Sequence, residues 1–297
     1  RSWGVAEVIL LLSIAILVIV VVVPVALIFF NAFFVNGQFN AADLVKTLSE
    51  GETYQALMNS LFIASGVTLC ATAVGTFFAW LVTRTDIPYK GFMKGMFLVP
   101  FMLPSFIGAL AWKMLLSPRA GYINRLWRDV TGAEDALFNI FSYAGIISIE
   151  TMYLFPFVFI QVCGALERMD PTLEESARIS GAGLFTITRK ITLPLVLPSI
   201  LSGALLIMLY SMAHFGTVAV LGIEVGIYNI PTLIYERIHE SAGSFASIRT
   251  GTVLASVLVV TAALIIWLQR KVLGSGKYQI IGGKSFRPME LKLRGLR

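Results

Sequence analysis

Six apolar segments separated by polar connections constrain the fold of this chain more than any other feature. Each is long enough to cross the hydrocarbon core of a bilayer, which a helix does with about 20 predominantly apolar residues. Helices satisfy their own backbone hydrogen bonds in lipid, so the segments predict an all-α membrane bundle. The predicted spans run from Val8 to Phe34, from Leu57 to Thr83, from Gly91 to Leu116, from Tyr143 to Leu166, from Leu195 to Phe215 and from Gly251 to Leu268.

Composition independently indicates an integral membrane protein. Hydrophobic residues make up 57% of the 297 residues, charged residues make up only 13%, and the mean hydropathy is +0.82. A soluble domain of this size could not bury so much apolar surface in one core. The first apolar segment is too long for a signal peptide and lacks a small-residue cleavage site, so we interpret it as a true span.

Lysine and arginine residues predict the orientation in the membrane, because cytoplasmic connections carry an excess of both. They concentrate after the second span, after the fourth span and in the C-terminal tail, whereas the first and fifth connections are more acidic and the third is balanced. With six spans, this pattern places both termini in the cytoplasm. The net charge of +6 follows from this topology, and without a soluble basic fold it does not indicate nucleic-acid binding.

The connection after the fourth span, residues 169–193, is predicted to form two short helices on the cytoplasmic side. Asp170 and Pro171 favour a helix start, because Asp can accept hydrogen bonds from free backbone amides and Pro suits the first helical turn. Gly181 can adopt the left-handed conformation that ends a helix. Leu184 and Phe185 then begin a second helix with an apolar face. The segment therefore predicts a docking surface for another protein.

A pattern within this segment resembles the cytoplasmic coupling loop of the permease subunits of bacterial ABC importers. It consists of Glu-Ser-Ala at 175–177, Gly181, and Ile-Thr-Leu-Pro at 191–194 after nine further residues. Ser176 stands where the family usually has Ala, and it keeps the side chain small. The resemblance implies that the ATPase contacts come from Glu174, Glu175, Ala177, Gly181, Leu184, Phe185, Ile191, Leu193 and Pro194.

A second stretch resembles permeases of the ferric iron, phosphonate and polyamine groups. Residues 213–222 match the sequence that follows the fifth span in those permeases, and residues 229–236 continue the match towards the iron group. His214 replaces an acidic residue of the family, and Val218 replaces a proline. The resemblance implies ferric iron as the leading substrate, followed by 2-aminoethylphosphonate or another small solute, and then polyamines. His214 and Gly216 are candidates for the translocation path, and the alternative for His214 is a hydrogen-bonded residue between helices.

The resemblance to type I importer permeases also implies an assembly in the bacterial inner membrane. Residues 1–272 would form one six-span domain, with the first helix outside a core of the other five. The basic tail, 273–297, resembles at 277–288 the linker between the halves of fused ferric-iron permeases. Two permease halves, identical, homologous or fused, would enclose the path. The other implied partners are a cytoplasmic ATPase dimer that binds ATP and Mg²⁺, an extracytoplasmic substrate-binding protein and membrane lipid, and no cofactor is expected in this chain.

The residues do not indicate an enzyme. Residues 283–285, Gly-Lys-Ser, lack the glycine that a phosphate-binding loop needs five positions earlier, where Tyr278 stands. Ser211 lies three residues before His214, but it lacks the Gly-x-Ser context and the oxyanion donors of an intramembrane protease. His214 also has no second ligand at a suitable spacing within its span, so no metal site is predicted.

An ion-coupled secondary transporter is the alternative class, and it would need intramembrane carboxylates and paired inverted repeats. Glu150, near the start of the fourth span, is the nearest case, and we expect it at the outer interface. Cys70 and Cys163 lie in apolar spans without the spacing of a disulfide or a metal site, so we interpret them as packing residues.

Overall fold

The computed structural model describes residues 5–35, 38–39, 42–240 and 245–274. The predicted linker at 277–288 lies outside these residues, as does nearly all of the basic tail. The strands β1 (Phe34–Val35) and β2 (Gln38–Phe39) pair as an antiparallel hairpin. The helices are α1 (Val5–Leu17), α2 (Val23–Phe33), α3 (Ala42–Ser49), α4 (Gly51–Arg84), α5 (Lys90–Met102), α6 (Ser105–Leu116), α7 (Tyr122–Thr131), α8 (Tyr143–Arg168), α9 (Thr172–Ile179), α10 (Leu184–Ile187), α11 (Leu193–Met212), α12 (Gly216–Leu221), α13 (Ile230–Glu240) and α14 (Phe245–Gly274).

The membrane crossings correspond to the six predicted apolar segments. A pair of helices, α5 and α6, forms the third crossing, and each of the others is one continuous helical segment. These continuous segments are Glu7–Phe33, Gly51–Arg84, Tyr143–Arg168, Leu184–Met212 and Ser247–Lys271. The predicted all-α membrane bundle of six crossings is therefore confirmed.

The third crossing is not the single helix expected from Gly91 to Leu116. Its two helices, α5 and α6, meet at an angle of 94°. Leu103 and Pro104 lie between them in extended conformations, with ψ angles of 135° and 121°. Proline disfavours helical geometry in the residue before it and cannot donate to the preceding turn, which explains the break at this point.

The fifth crossing begins at Leu184, well before the predicted start at Leu195. The helix α10 continues through a π-helical turn, Thr188–Thr192, directly into α11. This turn widens the helix just before Pro194, which lacks an N–H and whose ring crowds the preceding turn. The segment predicted to dock a partner is therefore rigidly continuous with a membrane crossing.

The core forms where α4, α8 and α11 pack against one another. A Cβ on Gly75 of α4 would lie 2.7 Å from the carbonyl oxygen of Phe155, and one on Gly203 of α11 would lie 2.8 Å from a methyl carbon of Val158. These two glycines therefore allow close helix packing on either side of α8. The first crossing contributes little to this core: Ala32 is the one buried residue in α2, and α2 packs against α14.

The two ends of the bundle are held by different contacts. At one, which we call the α9 end, the last residue of α4, Arg84, contacts Glu174 of α9. At the other, the α7 end, Asn59 near the start of α4 accepts a hydrogen bond from Tyr143, the first residue of α8. The spans α4 and α8 therefore run parallel, and the chain crosses back through α5 and α6 between them.

Candidate functional site

The helix α9 begins as the sequence predicts. The Asp170 carboxylate accepts a hydrogen bond from the backbone N–H of Thr172 at 2.9 Å, and Pro171 directly precedes the first helical residue. This backbone hydrogen bond is the main cause that holds the pKa of Asp170 below its ordinary value. The carboxylate thus satisfies one of the free amides at the helix start.

The turn between α9 and α10 depends on Gly181. Its φ angle is +83°, in the left-handed region, and its N–H donates to the carbonyl oxygen of Arg178 at 3.0 Å. A second bond, from the Ala182 N–H to the Ala177 carbonyl oxygen at 3.0 Å, closes the end of the helix. A Cβ on Gly181 would meet no atom within 4 Å, so backbone conformation alone favours glycine here.

Apolar side chains cover the outer surface of the segment. Phe185 is 76% exposed and Leu184 is 46% exposed, as expected for a docking surface. Ile179, at the end of α9, is 88% exposed, and the sequence analysis did not single it out. The sequence feature that could have identified Ile179 is its position four residues after Glu175, a spacing that places both residues on one side of a helix.

The other predicted contact residues divide between the surface and the interior. Glu175, Gly181, Leu193 and Pro194 are exposed, whereas Ala177 and Ile191 are half-buried. Glu174 differs from all of them, because its side chain is only 8% exposed and points into the bundle. The adjacent glutamates of α9 therefore face opposite environments.

Glu174 joins three elements at the α9 end. Its Oε1 lies 3.2 Å from Nε of Arg84 and accepts a hydrogen bond from Thr192 Oγ1 at 2.6 Å. Arg84 also donates from Nη2 to the carbonyl oxygen of Leu166 in α8 at 3.1 Å. Breaking such a buried pair by removing one partner leaves an uncompensated charge, so this contact fixes the segment against α4 and α8.

The sequence analysis missed Arg84 and Thr192. Arg84 counted only among the basic residues after the second span that indicate orientation. Its partner Glu174 lies 90 residues away in the sequence. A cavity of about 280 Å³ adjoins the pair, between the end of α4 and the segment. It is lined by Trp80, Arg84, Glu174, Arg178, Ala182, Gly183, Leu184, Ile187, Thr188 and Thr192.

A second group of polar side chains lies buried towards the α7 end, and we call Ser105, Glu150, Ser211 and His214 the polar cluster. Glu150 is 0% exposed and His214 is 7% exposed. His214 Nδ1 and Glu150 Oε1 are 3.2 Å apart, close enough for an ion pair when the imidazole is protonated. Ser211 donates to Glu150 Oε2 at 2.6 Å, and Ser105 Oγ lies 2.6 Å from His214 Nε2.

The polar cluster connects the bent third crossing to the core. Ser105 is the first residue of α6, Glu150 belongs to α8, and Ser211 lies at the end of α11. Gly216 permits the close approach of α12, because a Cβ there would lie 3.2 Å from Ser105 Oγ. Asn229 fixes the backbone nearby by donating to the His214 carbonyl oxygen at 2.7 Å.

Two earlier expectations bear on this cluster. Glu150 does not lie at an outer interface but is enclosed between helices, where its carboxylate is paired with Ser211 and His214. His214 and Gly216 lie next to Ser105. They line neither the cavity beside Arg84 and Glu174 nor the two concave surfaces that flank the core. Their part in a translocation path stays a prediction. In the described residues, no group of three or more His, Cys, Asp or Glu side chains is placed to hold a metal ion.

Two further concave surfaces flank the core. A polar cavity of about 370 Å³ at the α7 end is lined in part by Glu52, Asn59, Glu236 and Arg237. A groove of about 580 Å³ runs along α4 and α11 and is mostly apolar, with Thr68, Thr72, Ala73, Phe77 and Leu201 among its lining residues. Cys70 is exposed on α4 and Cys163 is buried in α8, and both are free thiols.

Comparisons with known sequences agree with the two patterns. The family described as "Binding-protein-dependent transport system inner membrane component" matches residues 71–274. The chain is 28% identical over 264 residues to the ferric transport system permease protein FbpB of Actinobacillus pleuropneumoniae, which covers 89% of this chain but only 37% of that protein. It is 30% identical over 220 residues to the molybdenum transport system permease protein ModB of Escherichia coli K12, covering 73% of this chain and 93% of that protein.

Solved structures show the same fold. A chain of a bacterial alginate ABC transporter, in complex with a periplasmic protein bound to an alginate pentasaccharide, matches with a TM-score of 0.75 and 18% identity, over 94% of this chain and 96% of that one. A chain of the MetNI methionine ABC transporter matches with a TM-score of 0.56 and 20% identity, over 75% of this chain and 94% of that one.

Proposed function

This chain belongs to the family of binding-protein-dependent transport system inner membrane components, and we propose that it is the permease half of an ATP-driven importer of ferric iron. The carrying observation is the segment 172–193, which exposes apolar side chains on one side and is fixed to the bundle by the buried Arg84–Glu174 pair on the other. Family membership also favours an ATP-driven importer over an ion-coupled secondary transporter.

The segment would couple a cytoplasmic ATPase to the membrane crossings. Phe185, Leu184 and Ile179 supply an apolar surface for the ATPase, and the exposed Glu175 supplies a charge at its edge. ATP and Mg²⁺ would be bound by the ATPase pair, whose closure displaces the segment. Because α10 continues into α11 without a break, the displacement passes directly into the fifth crossing.

The path would form between two permease halves. The mostly apolar groove along α4 and α11 flanks the core, and a second half packed against it would enclose a channel with threonine hydroxyls on its wall. Closure of the ATPases would open this channel outwards, and a loaded extracytoplasmic binding protein would then release its ligand into it. Selection of the substrate rests mainly with that binding protein.

Ferric iron is the proposed substrate because two observations favour it. Residues 213–222 resemble the ferric iron, phosphonate and polyamine groups, and residues 229–236 continue that match towards the iron group. The similarity to the ferric permease extends over 89% of this chain. Molybdate is the second candidate, since the molybdenum permease matches along 93% of its own length. Polyamines follow, from a match of 31% identity over 165 residues to the spermidine/putrescine permease PotB of Escherichia coli K12. The phosphonate resemblance keeps 2-aminoethylphosphonate as a further candidate.

Uptake of labelled ferric iron by cells with and without this chain tests the proposal. Molybdate, putrescine and 2-aminoethylphosphonate serve as parallel substrates. A Phe185→Asp variant, which places a charge on the proposed ATPase contact, shows whether uptake depends on that contact. Loss of iron uptake alone, in both the deletion and the variant, supports the proposal. Loss of another substrate instead would overturn the iron assignment, and unchanged uptake of all four would contradict the importer assignment in those cells.

A further inference from the structure

The helix α7, between the third and fourth crossings, turns a polar side towards the protein. Asn124 is fully buried, and its Nδ2 donates to the carbonyl oxygens of Leu116, Ser117 and Phe138 at 3.0, 3.1 and 2.8 Å. Its Oδ1 accepts from the Phe138 N–H at 2.9 Å. One amide side chain thus fixes α7 to the end of α6 and to the chain that leads into α8.

Arg128 lies one helical turn after Asn124 and holds the same side. Its Nη1 and Nη2 donate to the carbonyl oxygens of Pro118 and Arg119 at 2.8 and 2.9 Å. These bonds satisfy carbonyl groups in the turn between α6 and α7. The protein-facing side of α7 is therefore held by hydrogen bonds rather than by apolar packing.

The opposite side of α7 is apolar and exposed. Tyr122, Leu126 and Val130 are 63%, 63% and 76% exposed, and their spacing of four residues makes them one stripe. At about 100° of rotation per residue, this stripe lies across the helix from Asn124 and Arg128. A helix that packs on a soluble protein has the reverse arrangement, with its apolar side inwards.

We propose that α7 is an interfacial helix whose apolar stripe lies in the boundary between lipid headgroups and acyl chains at the α7 end. The stripe continues a lipid-facing surface, because α6 ends just before α7 and exposes Phe106, Ile107, Leu110 and Met114. Tyr122 and Trp127 are aromatic residues of the kind enriched at that depth. Helices with one apolar and one charged side bind membranes in this orientation.

A soluble binding protein fits this surface less well than lipid does. It would leave the stripe in water between docking events, and exposed apolar surface of that kind is unfavourable in water. Lipid is always present beside the crossings and covers the stripe permanently. The exposed Arg125, on the flank of α7, is placed to reach phosphate groups of the same headgroup layer.

Depth measurements on single spin labels test the inference. In a C70A/C163A background reconstituted in bilayers, labels are placed on the stripe by Leu126→Cys and Val130→Cys. Matched control labels are placed outside the stripe at two exposed positions of the same helix, by Arg125→Cys on its polar flank and by Thr131→Cys on the side of Asn124. Collision rates with oxygen, which concentrates in lipid, and with a water-soluble nickel complex are then measured for each label.

The inference predicts an oxygen-to-nickel collision ratio several-fold higher at the two stripe labels than at the two control labels. Equal ratios at all four positions, with free access of the nickel complex, would show a stripe in water and would overturn it. Shielding of the stripe from both reagents would show coverage by protein, and would equally overturn it. Thermal unfolding midpoints of the four labelled proteins, matched to the unlabelled background, exclude loss of folding as the cause.

Discussion

Two buried acidic side chains lie at opposite ends of this bundle, and they differ in the basic residue that each one contacts. At the α9 end, Arg84 pairs with Glu174 and also donates to a backbone carbonyl oxygen of α8. At the α7 end, His214 pairs with Glu150, and serine hydroxyls occupy the remaining positions around them. Arginine stays charged at all physiological pH values, whereas histidine is charged only when protonated.

This difference suggests different mechanical roles for the two ends. The Arg84–Glu174 pair joins the segment 172–193 to the core, and under the proposed function this connection would transmit movement of the ATPase. The polar cluster joins the bent third crossing to the core mainly through hydrogen bonds from hydroxyl groups, which can rearrange without moving a permanent charge. Under the proposed function, transmission of movement would therefore depend on the α9 end.

The largest expected effect comes from breaking the α9 pair. Arg84→Ala leaves Glu174 buried without a cation, and we expect a loss of about 3–5 kcal/mol in the free energy of unfolding. Thermal unfolding in detergent measures it. Lys190→Ala, at an exposed basic residue of the same segment, is the control and should leave the unfolding midpoint unchanged. Equal midpoints for the two variants would mean that the pair does not hold the segment.

Breaking the α7 pair should have a smaller effect. Glu150→Leu leaves the Ser211 hydroxyl without its acceptor and His214 without the nearby carboxylate, which costs about 1–3 kcal/mol. Glu224→Leu is the control, because its ion pair with Lys113 is half-exposed and contributes about 0–1 kcal/mol. Chemical unfolding of both variants measures the difference. A larger loss at Glu224 than at Glu150 would contradict the assigned burial of the cluster.

The turn in the docking segment should respond to backbone strain alone. Gly181→Ala forces a side chain into the left-handed region and should destabilise the segment by about 1–2 kcal/mol. Gly183→Ala, two residues later, has a φ of −71° and open space around it, so it should be nearly neutral. Hydrogen exchange across residues 172–187 measures both. Similar exchange in the two variants would show that Gly181 is not a conformational requirement.

The smallest effect concerns the cap of α9. The pKa of Asp170 is lowered in the folded protein, so its cap contributes fully above a pH of about 4 and is lost as the pH falls through the folded value. Hydrogen-exchange protection at the first amides of α9, corrected for the intrinsic exchange rate at each pH, should therefore fall in acid for the natural protein. Asp170→Ala should exchange rapidly at neutral pH as well, and an unaltered rate in this variant would exclude the cap.

Hydropathy predicted the membrane crossings well, because length and apolar composition determine whether a helix can cross. It did not predict the bend between α5 and α6. Pro100 and Pro156 lie inside helices, whereas Pro104 lies in the break between α5 and α6. The sequence alone does not distinguish them, because neighbouring helices decide which prolines a membrane helix tolerates. The start of the fifth crossing was also missed, because the polar residues at 188–192 interrupt the apolar pattern although the helix continues through them.

At the docking segment, local signals were sufficient for the cap at Asp170 and for the left-handed Gly181. They were insufficient for the Arg84–Glu174 and Glu150–His214 contacts, since each joins a residue of one crossing to a residue far along the chain that lies outside the crossings. Arg84 and Glu150 were visible only as isolated charges, and their partners are set by how α4 and α8 pack with the rest of the chain. Local chemistry was thus predictable, and tertiary pairing was not.

The most direct test of transmission through the α9 end compares the adjacent glutamates of α9 in the transporter reconstituted with its ATPase and binding protein. Stimulation of ATP hydrolysis by the loaded binding protein is measured together with the amount of ATPase that co-purifies. We predict that Glu174→Gln keeps the ATPase bound but loses most of the stimulation, whereas Glu175→Lys loses the bound ATPase. Full stimulation in Glu174→Gln would contradict the account.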